Sequence, residues 1–322
     1  MSTKDKLLKL FEENKGTYLS GEEIADKLDI SRTAVWKAVN SLKDSGYPID
    51  SQKNKGYCLS PMTDIVSASG IGKYLSTDLT VEVYDEVVST NTMLKERAAQ
   101  GAKEGLVIIA NSQTGGKGRL GRQFYSPLDT GVYISVLLRP VTLPPQEALK
   151  VTTMAAVAAS EAVDAVSGRE SKIKWVNDIY LDGLKVAGIL TEASVSMESG
   201  HLEYAVLGIG FNVYEPKGGF PDDIKGIAGA ILPESAADAK NRIAAEFLNR
   251  FFKIYNAPEG SDYSGRYKER SLVTGKKVNV ITPVGSSKAT VLDITDDCSL
   301  LVRYEDGTVK ELSTGEVSIR PE

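Results

Sequence analysis

Histidine is nearly missing from this chain of 322 residues: His201 is the only one, and it follows Gly200 in a stretch that reads as a solvated turn. There are two cysteines, Cys58 and Cys298, far apart and outside any Cys-x-x-Cys pair. Serine–histidine catalysis, histidine metal centres and a disulfide framework are therefore disfavoured, and the two thiols read as ordinary semi-buried side chains. No apolar run reaches the roughly 18 residues of a membrane span, and the opening Met1-Ser-Thr-Lys-Asp-Lys6 has no signal-peptide character. A cytoplasmic protein with no membrane partner is expected. Excess positive charge is also lacking, since the net charge is −5, which argues against a chain devoted throughout to nucleic acid.

The charge is uneven. Residues 31 to 57 carry Arg32, Lys37, Lys43, Lys53 and Lys55 against only Asp44 and Asp50. Around this basic edge the pattern predicts three short helices. Leu7, Leu8, Leu10 and Phe11 stripe the first; Ser20-Gly-Glu-Glu23 is a capping box opening the second; Ser31 is an N-cap for the third, whose Val35, Val39 and Leu42 form a buried face. The opposite face presents Arg32, Thr33, Trp36, Lys37 and Asn40. Tyr47 to Leu59 then reads as two strands around a turn bearing Lys53 and Lys55. Residues 1 to 62 are thus expected to be a winged helix-turn-helix whose third helix and wing meet DNA, with Ser31 at the helix start. A helical packing module is the alternative.

From residue 81 onward strands and helices mix without strict alternation, predicting an α+β core over residues 63 to 270. Strands are expected at 81–87, 106–110, 132–138, 173–176, 186–192 and 202–213, with Asp182-Gly183 as a hairpin turn and helices after Ser89-Thr-Asn91, over about 146–166 and over 237–256. Beyond residue 271 four short strands, 277–282, 289–294, 300–304 and 308–312, predict a small SH3-like β-barrel over 271 to 322.

Gly116-Lys-Gly-Arg-Leu-Gly121 matches Gly-x-Gly-x-x-Gly after a strand, yet Arg122-Gln-Phe-Tyr-Ser-Pro127 follows where a dinucleotide-binding turn would open a helix. What is left is a loop whose glycines (Gly115, Gly116, Gly118, Gly121) could expose backbone N–H groups to an anion, interleaved with Lys117, Arg119 and Arg122. A disordered basic surface loop fits the composition equally well.

Five ordered pieces narrow the reading: Ser89-Thr-Asn91; Gln113 with the glycine-basic loop to Arg122; Lys174-Trp-Val-Asn-Asp178; Lys185-Val-Ala-Gly-Ile-Leu-Thr-Glu192; and Gly208-Ile-Gly-Phe-Asn212. Together they resemble the biotin protein ligases, and with the helical unit in front and the strands behind, the whole chain resembles the bifunctional class that also represses biotin operons. The resemblance implies that biotin, as substrate, attacks the α-phosphate of MgATP to give biotinyl-AMP. A lysine of the biotin carboxyl carrier domain of acetyl-CoA carboxylase, or of a related carboxylase, then takes the biotinyl group. Such chemistry needs charge and position, not a histidine.

By matching motif, the resemblance places Arg119 and Lys185 as catalytic groups at the carboxylate and phosphate. Ser89, Thr90, Asn91, Gln113, Gly116, Lys117 and Gly188 join them around biotin. Arg122, Phe124, Asn177 and Asn212 fall on the nucleotide side, and Asp178 is the candidate Mg²⁺ ligand. It further implies a homodimer on operator DNA of biotin genes. The family's loop reads Gly-Arg-Gly-Arg-Arg-Gly-Arg, so Lys117 and Leu120 depart from it, as do Phe124 for Trp and Val176 for Pro; altered adenylate retention or dimerisation is the expected consequence. Two alternatives stand beside this reading: a biotin-sensing transcription factor without ligase activity, and a ligase whose winged helix does not bind DNA.

Overall fold

The computed structural model describes residues 2–140, 148–195, 200–257, 262–282, 285–313 and 316–319. The chain divides into two compact units, Met1–Ser76 with Glu234–Ala245, and Thr77–Pro233 with Glu246–Glu322.

The smaller unit begins with α1 (Thr3–Glu13), α2 (Gly21–Leu28) and α3 (Arg32–Asp44), followed by β1 (Ile49–Gln52) and β2 (Gly56–Leu59). Each helix starts on a serine whose hydroxyl accepts a backbone N–H three residues on. Ser2 and Ser20 complete reciprocal capping boxes with Asp5 and Glu23, satisfying donors that would otherwise be orphaned. Leu7, Phe11, Ile24, Val35, Val39, Leu42 and Leu59 are buried together, so the stripe read from the sequence is the core of a helix-turn-helix with an antiparallel hairpin behind it.

This unit takes in more chain than residues 1 to 62. It includes α4 (Ala68–Gly72) and residues 234–245, held by a buried ion cluster. The Glu12 carboxylate, fully buried, lies 2.7 Å from Lys73 Nζ and 3.4 Å from Lys15 Nζ. Asp238 is 2.6 Å from Lys15 and 2.9 Å from Lys73, and Tyr74 donates to it at 2.9 Å. Burial would push the Asp238 carboxyl up, but hydrogen bonds from Lys15, Lys73 and Tyr74 outweigh it and hold the group below the ordinary carboxylate range.

The larger unit carries β3 (Thr80–Val87), α5 (Thr90–Ala99), β4 (Leu106–Gln113), β5 (Gly131–Leu138), α6 (Ala148–Ser167), β6 (Lys172–Lys174), β7 (Asp178–Leu181), β8 (Leu184–Val195) and β9 (Leu202–Asn212). Its seven-stranded sheet runs β3-β4-β5-β9-β8-β7-β6. Only β3 and β4 are parallel, joined through α5; the other neighbours are antiparallel. Asp182 and Gly183 both take positive φ, as an Asp-Gly hairpin turn requires. The expected strand at 173–176 is shorter than read: β6 ends at Lys174 and the chain turns through 175–177, because β7 folds back to pair Asp178 with Lys174. The helix expected from 146 is described from Ala148, its first residues lying outside the described ones.

Next come α7 (Ala239–Tyr255), α8 (Tyr263–Glu269), β10 (Lys277–Thr282), β11 (Gly285–Ile294), β12 (Leu300–Tyr304), β13 (Val309–Leu312) and β14 (Glu316–Ile319). The sequence reading missed α4, β7, α8 and β14, all too short for a periodic signal. The last five strands hydrogen-bond in the order β13-β12-β11-β10-β14. Among the described residues they form an open ladder edged by β13 and β14. Trp175 Nε1 donates to the Cys298 carbonyl at 2.9 Å, tying this sheet to the β6–β7 turn. Both cysteines are buried, and burial pushes the Cys298 thiol up to about 11. Among the described residues no helix is long and apolar enough to cross a membrane.

Asp238→Ala should lower the stability of the helix-turn-helix unit by about 3 kcal/mol, since two lysines lose a shared buried partner. Because the Asp238 carboxyl is depressed in the folded chain, its contribution is fully present above its ordinary value of 3.8 and is lost as pH falls through the lower folded value. The protection of α1 amides, taken against the intrinsic exchange rate at each pH, should fall on acidification in the unaltered chain and be low already at neutral pH in the variant.

Candidate active site and candidate DNA-facing helix

The larger unit holds a cleft whose unfilled space, counted together with the solvent at its open mouth, is about 920 Å³. Its floor is the sheet, and cross-strand register decides what stands there. Ser135 of β5 pairs with Gly208 of β9, which pairs with Leu190 of β8. Two residues along, Tyr133 pairs with Gly210 and Gly210 with Gly188, which faces Asp178 of β7. A β-carbon at Gly208 would lie 2.1 Å from Asn91 Oδ1, and one at Gly210 would lie 2.4 Å from the Phe124 ring. The bare backbone therefore lets Asn91 and the Phe124 ring rest directly on the sheet. Phe124 also meets Tyr133 edge to face at 6.4 Å.

At one end of the cleft, β3 runs into α5 through Ser89, whose hydroxyl caps the helix by accepting Thr92 N–H. The N–H of Thr90 donates to Gln113 Oε1 at 2.8 Å, and Gln113 Nε2 donates to Ser126 Oγ at 3.1 Å. Asn91 donates to Glu192 Oε2 at 2.9 Å, and Lys95 Nζ lies 2.6 Å from Glu192 Oε1. Burial would raise the Glu192 carboxyl, but these two partners prevail and keep it below the ordinary range.

The glycine-basic loop is an ordered hairpin. Gln113 N–H donates to Ser126 O, Phe124 N–H to Gly116 O, and Gly118 N–H to Arg122 O, with a single 3₁₀ turn over Arg119–Gly121. The expectation of glycine N–H groups turned toward an anion is corrected at two positions: Gly115 N–H donates to Val88 O, and Gly118 N–H is used within the hairpin. The side chains carry the charge instead. Arg119 Nη1 donates to Asn177 Oδ1 at 3.1 Å, closing the hairpin onto the β6–β7 turn, and Asn177 Nδ2 donates to Ile189 O at 2.8 Å. Lys185 Nζ lies 2.6 Å from Asp178 Oδ1, an ion-pair approach that is not aligned as a hydrogen bond. Lys117 reaches Thr92 Oγ1 at 3.0 Å. Leu120, at positive φ and 73% exposed, brings no polar group to the rim.

Of the residues singled out in the sequence, Ser89, Thr90, Asn91, Gln113, Lys117, Arg119, Arg122, Phe124, Asn177, Asp178, Lys185 and Gly188 all line this one cleft. Gly116 is buried beside it, under Phe124 and Ser126. Asn212 does not line it: its side chain donates to Gly229 O at 3.2 Å, holding the segment that follows β9. The sequence reading included Lys174, Gly208 and Gly210 in its motifs without giving them a role in the site, and it passed over Ser135. The alternating glycines within a strand, and a lone serine inside Val132-Tyr-Ile-Ser-Val-Leu-Leu138, were the available signals. Val317 of β14 also lines the cleft, and nothing local announces it.

In the smaller unit Arg32, Thr33, Trp36 and Lys37 stand exposed on α3, Asn40 half-buried beside them, and Lys53 and Lys55 are exposed on the β1–β2 turn. Trp36 is 57% exposed, a large cost for an aromatic side chain with no partner surface. Ser31 is engaged as the cap of α3, accepting Ala34 N–H.

The architecture agrees with comparisons to known proteins. The "Biotin/lipoate A/B protein ligase family" profile matches residues 84–212, an "HTH domain" profile residues 3–58, and "Biotin protein ligase C terminal domain" residues 273–320. The bifunctional ligase/repressor BirA of Bacillus subtilis is 32% identical over 97% of both chains, and that of Bacillus spizizenii 31% identical over 97% of both. The chain belongs to the bifunctional ligase/repressor family of biotin protein ligases. A solved biotin protein ligase from Aquifex aeolicus, in complex with biotin and ATP, is 26% identical with a TM-score of 0.63, covering 76% of this chain and 99% of that one. In this chain the three profiles stand in order, a helix-turn-helix in front of a ligase domain and a C-terminal domain behind it.

In this ligase Gly210→Ala should push the Phe124 ring off the sheet and cost about 1–3 kcal/mol of stability by overpacking. Denaturant unfolding should show part of that loss recovered when Phe124→Leu is added, because the shorter side chain vacates the space.

Proposed function

We propose that this chain is an ATP-dependent biotin–[acetyl-CoA-carboxylase] ligase that also represses biotin genes. The observation that carries the reading is that one cleft is lined both by amide and hydroxyl groups at Ser89, Thr90 and Gln113 and by two cationic side chains, Arg119 and Lys185, with the Phe124 ring among them. The polar end suits the ureido ring of biotin; the cationic end suits its carboxylate and the phosphates of ATP. Asn91, Gly116, Lys117 and Gly188 complete the biotin side, with Arg122, Phe124 and Asn177 toward the nucleotide. Asn212 acts from behind, through the segment it holds.

In the first step a carboxylate oxygen of biotin attacks the α-phosphorus of ATP. A C–O–P anhydride forms as the bond to the β-phosphate oxygen breaks, and pyrophosphate leaves with that electron pair. In the second, a lysine amine of a biotin carboxyl carrier domain attacks the acyl carbon, AMP departs, and the amine loses a proton. Arg119 and Lys185 bring the two anions together and offset charge building on the phosphate oxygens. No group of three or more His, Cys, Asp or Glu that could hold a metal exists among the described residues. Mg²⁺ arriving with ATP needs only one or two protein carboxylates, and among the described residues Asp178 is the carboxylate that lines the cleft. When bound, the ion would screen the phosphates, while Lys185 turns from Asp178 toward the substrates.

Residues 1 to 62 form the DNA-reading winged helix-turn-helix in this proposal, 63 to 270 the catalytic domain and 271 to 322 an SH3-like barrel, whose curvature is supported by the bulge between Val291 and Asp293. The protein works in the cytoplasm as a homodimer, each α3 placed in one half of a palindromic operator. Exposure of the whole basic face, Trp36 included, favours this over a packing role.

Mass spectrometry of a carrier-domain fragment incubated with the chain, biotin and MgATP should show one added biotin. Arg119→Ala should cut kcat/KM by about 10²-fold or more. No addition under any condition would leave a biotin-sensing regulator. On operator DNA, Lys37→Ala should weaken binding and lower the salt dependence of log K by about one phosphate contact; an unchanged salt slope would count against α3 as the DNA-facing element.

A further inference from the structure

Tyr267 of α8 is fully buried, at 0% exposure, and is not one of the described residues that line the cleft. A phenylalanine would fill the same space with no hydroxyl to desolvate, so the hydroxyl must find a partner there. It donates to the carbonyl of Val176 at 3.1 Å. That carbonyl lies in the β6–β7 turn, between Trp175 and Asn177, both of which line the cleft. The helix is a firm base for such a bond. Arg266 Nη1 donates to Glu161 Oε1 of α6 at 2.8 Å, and Arg270, just past the helix, donates to Ser160 Oγ at 2.9 Å and lies 2.6 Å from Asp164 Oδ2. The Arg270 carbonyl then accepts Ile173 N–H at 2.7 Å and Leu272 N–H donates to Ile173 O at 2.8 Å, which fastens the end of α8 along β6.

The peptide unit is planar, so holding the Val176 oxygen also holds the N–H and Cα of Asn177 in the same plane. The next peptide is held as well, because Asn177 O accepts Ile189 N–H at 3.0 Å. With the backbone fixed on both sides, the Asn177 amide is aimed by its own contacts. Its Nδ2 donates to Ile189 O at 2.8 Å, which leaves Oδ1 to accept Arg119 Nη1 at 3.1 Å.

We infer that Tyr267 is a positioning residue for adenylate formation: its hydroxyl sets the plane of the Val176–Asn177 peptide and so aims Asn177 at Arg119. The inference rests on the ligase reading and deepens it. In that reading Tyr267 touches neither substrate and acts through Asn177, on the nucleotide side of the cleft. Ser89, Thr90 and Gln113, on the ureido side, are carried by the start of α5 and the end of β4, so the biotin side has supports of its own. A tilt of the 176–177 peptide would therefore disturb Arg119 while leaving the ureido side in place.

Single-turnover formation of biotinyl-AMP by the full chain, with biotin affinity measured separately by calorimetry, tests this. Tyr267→Phe should slow adenylate formation by about 10-fold while the biotin Kd moves by less than about threefold. Replacing Tyr267 with 4-aminophenylalanine, which puts a donor back, should recover most of the rate. Adding Tyr267→Phe to Asn177→Ala should slow the reaction no further, because the group through which Tyr267 acts is already gone, whereas the losses of denaturant stability should add. An unchanged rate in Tyr267→Phe, with only the denaturation midpoint lowered, would leave the hydroxyl a purely structural group and overturn the inference. So would rate losses that multiply in the double variant. Should Tyr267→Phe fail to fold, Trp175→Phe removes the neighbouring pin, Trp175 Nε1 to Cys298 O, and should slow adenylate formation with biotin affinity kept; a normal rate there would overturn the turn's hold on Asn177. If the unaltered chain forms no biotinyl-AMP, the ligase reading itself falls, an outcome distinct from all of these.

Discussion

Two missing β-carbons on one strand hold the candidate active site together. Gly208 and Gly210 alternate along β9, on the same face of the sheet, and each gives its space to a side chain from elsewhere in the chain: Asn91 from the start of α5, and Phe124 from the glycine-basic hairpin. With any larger residue at those positions, a clash of 2.1 or 2.4 Å would lift the helix start or the hairpin away from the sheet. The cleft is therefore defined by backbone approach before any charged group is considered. Arg119, Lys185 and Gln113 converge because the elements carrying them have been brought within reach.

Charge is arranged around that frame in two different ways. In the cleft a cation meets its carboxylate poorly: Lys185 lies against Asp178 without squaring to it. Such a group can be redirected to incoming anions at small cost, which is what a site binding a carboxylate and a triphosphate requires. In the smaller unit Glu12 and Asp238 are buried, with the half-buried Lys15 and Lys73 close against them. Those contacts serve cohesion, because a desolvated carboxylate that lost its lysines would be strongly unfavourable.

Much of the fold was readable from local pattern. The capping box at Ser20, the apolar stripe of α3 and the Asp182-Gly183 turn are decided within a few residues, and the structure forms them where the pattern placed them. α4, α8 and β14 are one or two turns of helix or a few strand residues, held by neighbours that lie far off in sequence, so no local period could announce them. The recruitment of residues 234–245 into the helix-turn-helix unit belongs to the same class, since Asp238 meets Lys15 across more than two hundred residues of chain.

For the site itself, the sequence by itself determined the inventory: the near absence of histidine, the basic loop, the ordered motifs around Ser89, Gln113, Lys174, Lys185 and Gly208, and hence the family. Only the tertiary structure decided which members face one another. Cross-strand register put Ser135, Gly208 and Leu190 in one row; the hairpin's own hydrogen bonds committed Gly115 and Gly118; and Asn212 was turned away to the segment behind the sheet. The physical reason is that residue type fixes what a side chain can donate or accept. The direction in which it does so depends on partners supplied by other strands, and those partners are set by long-range pairing.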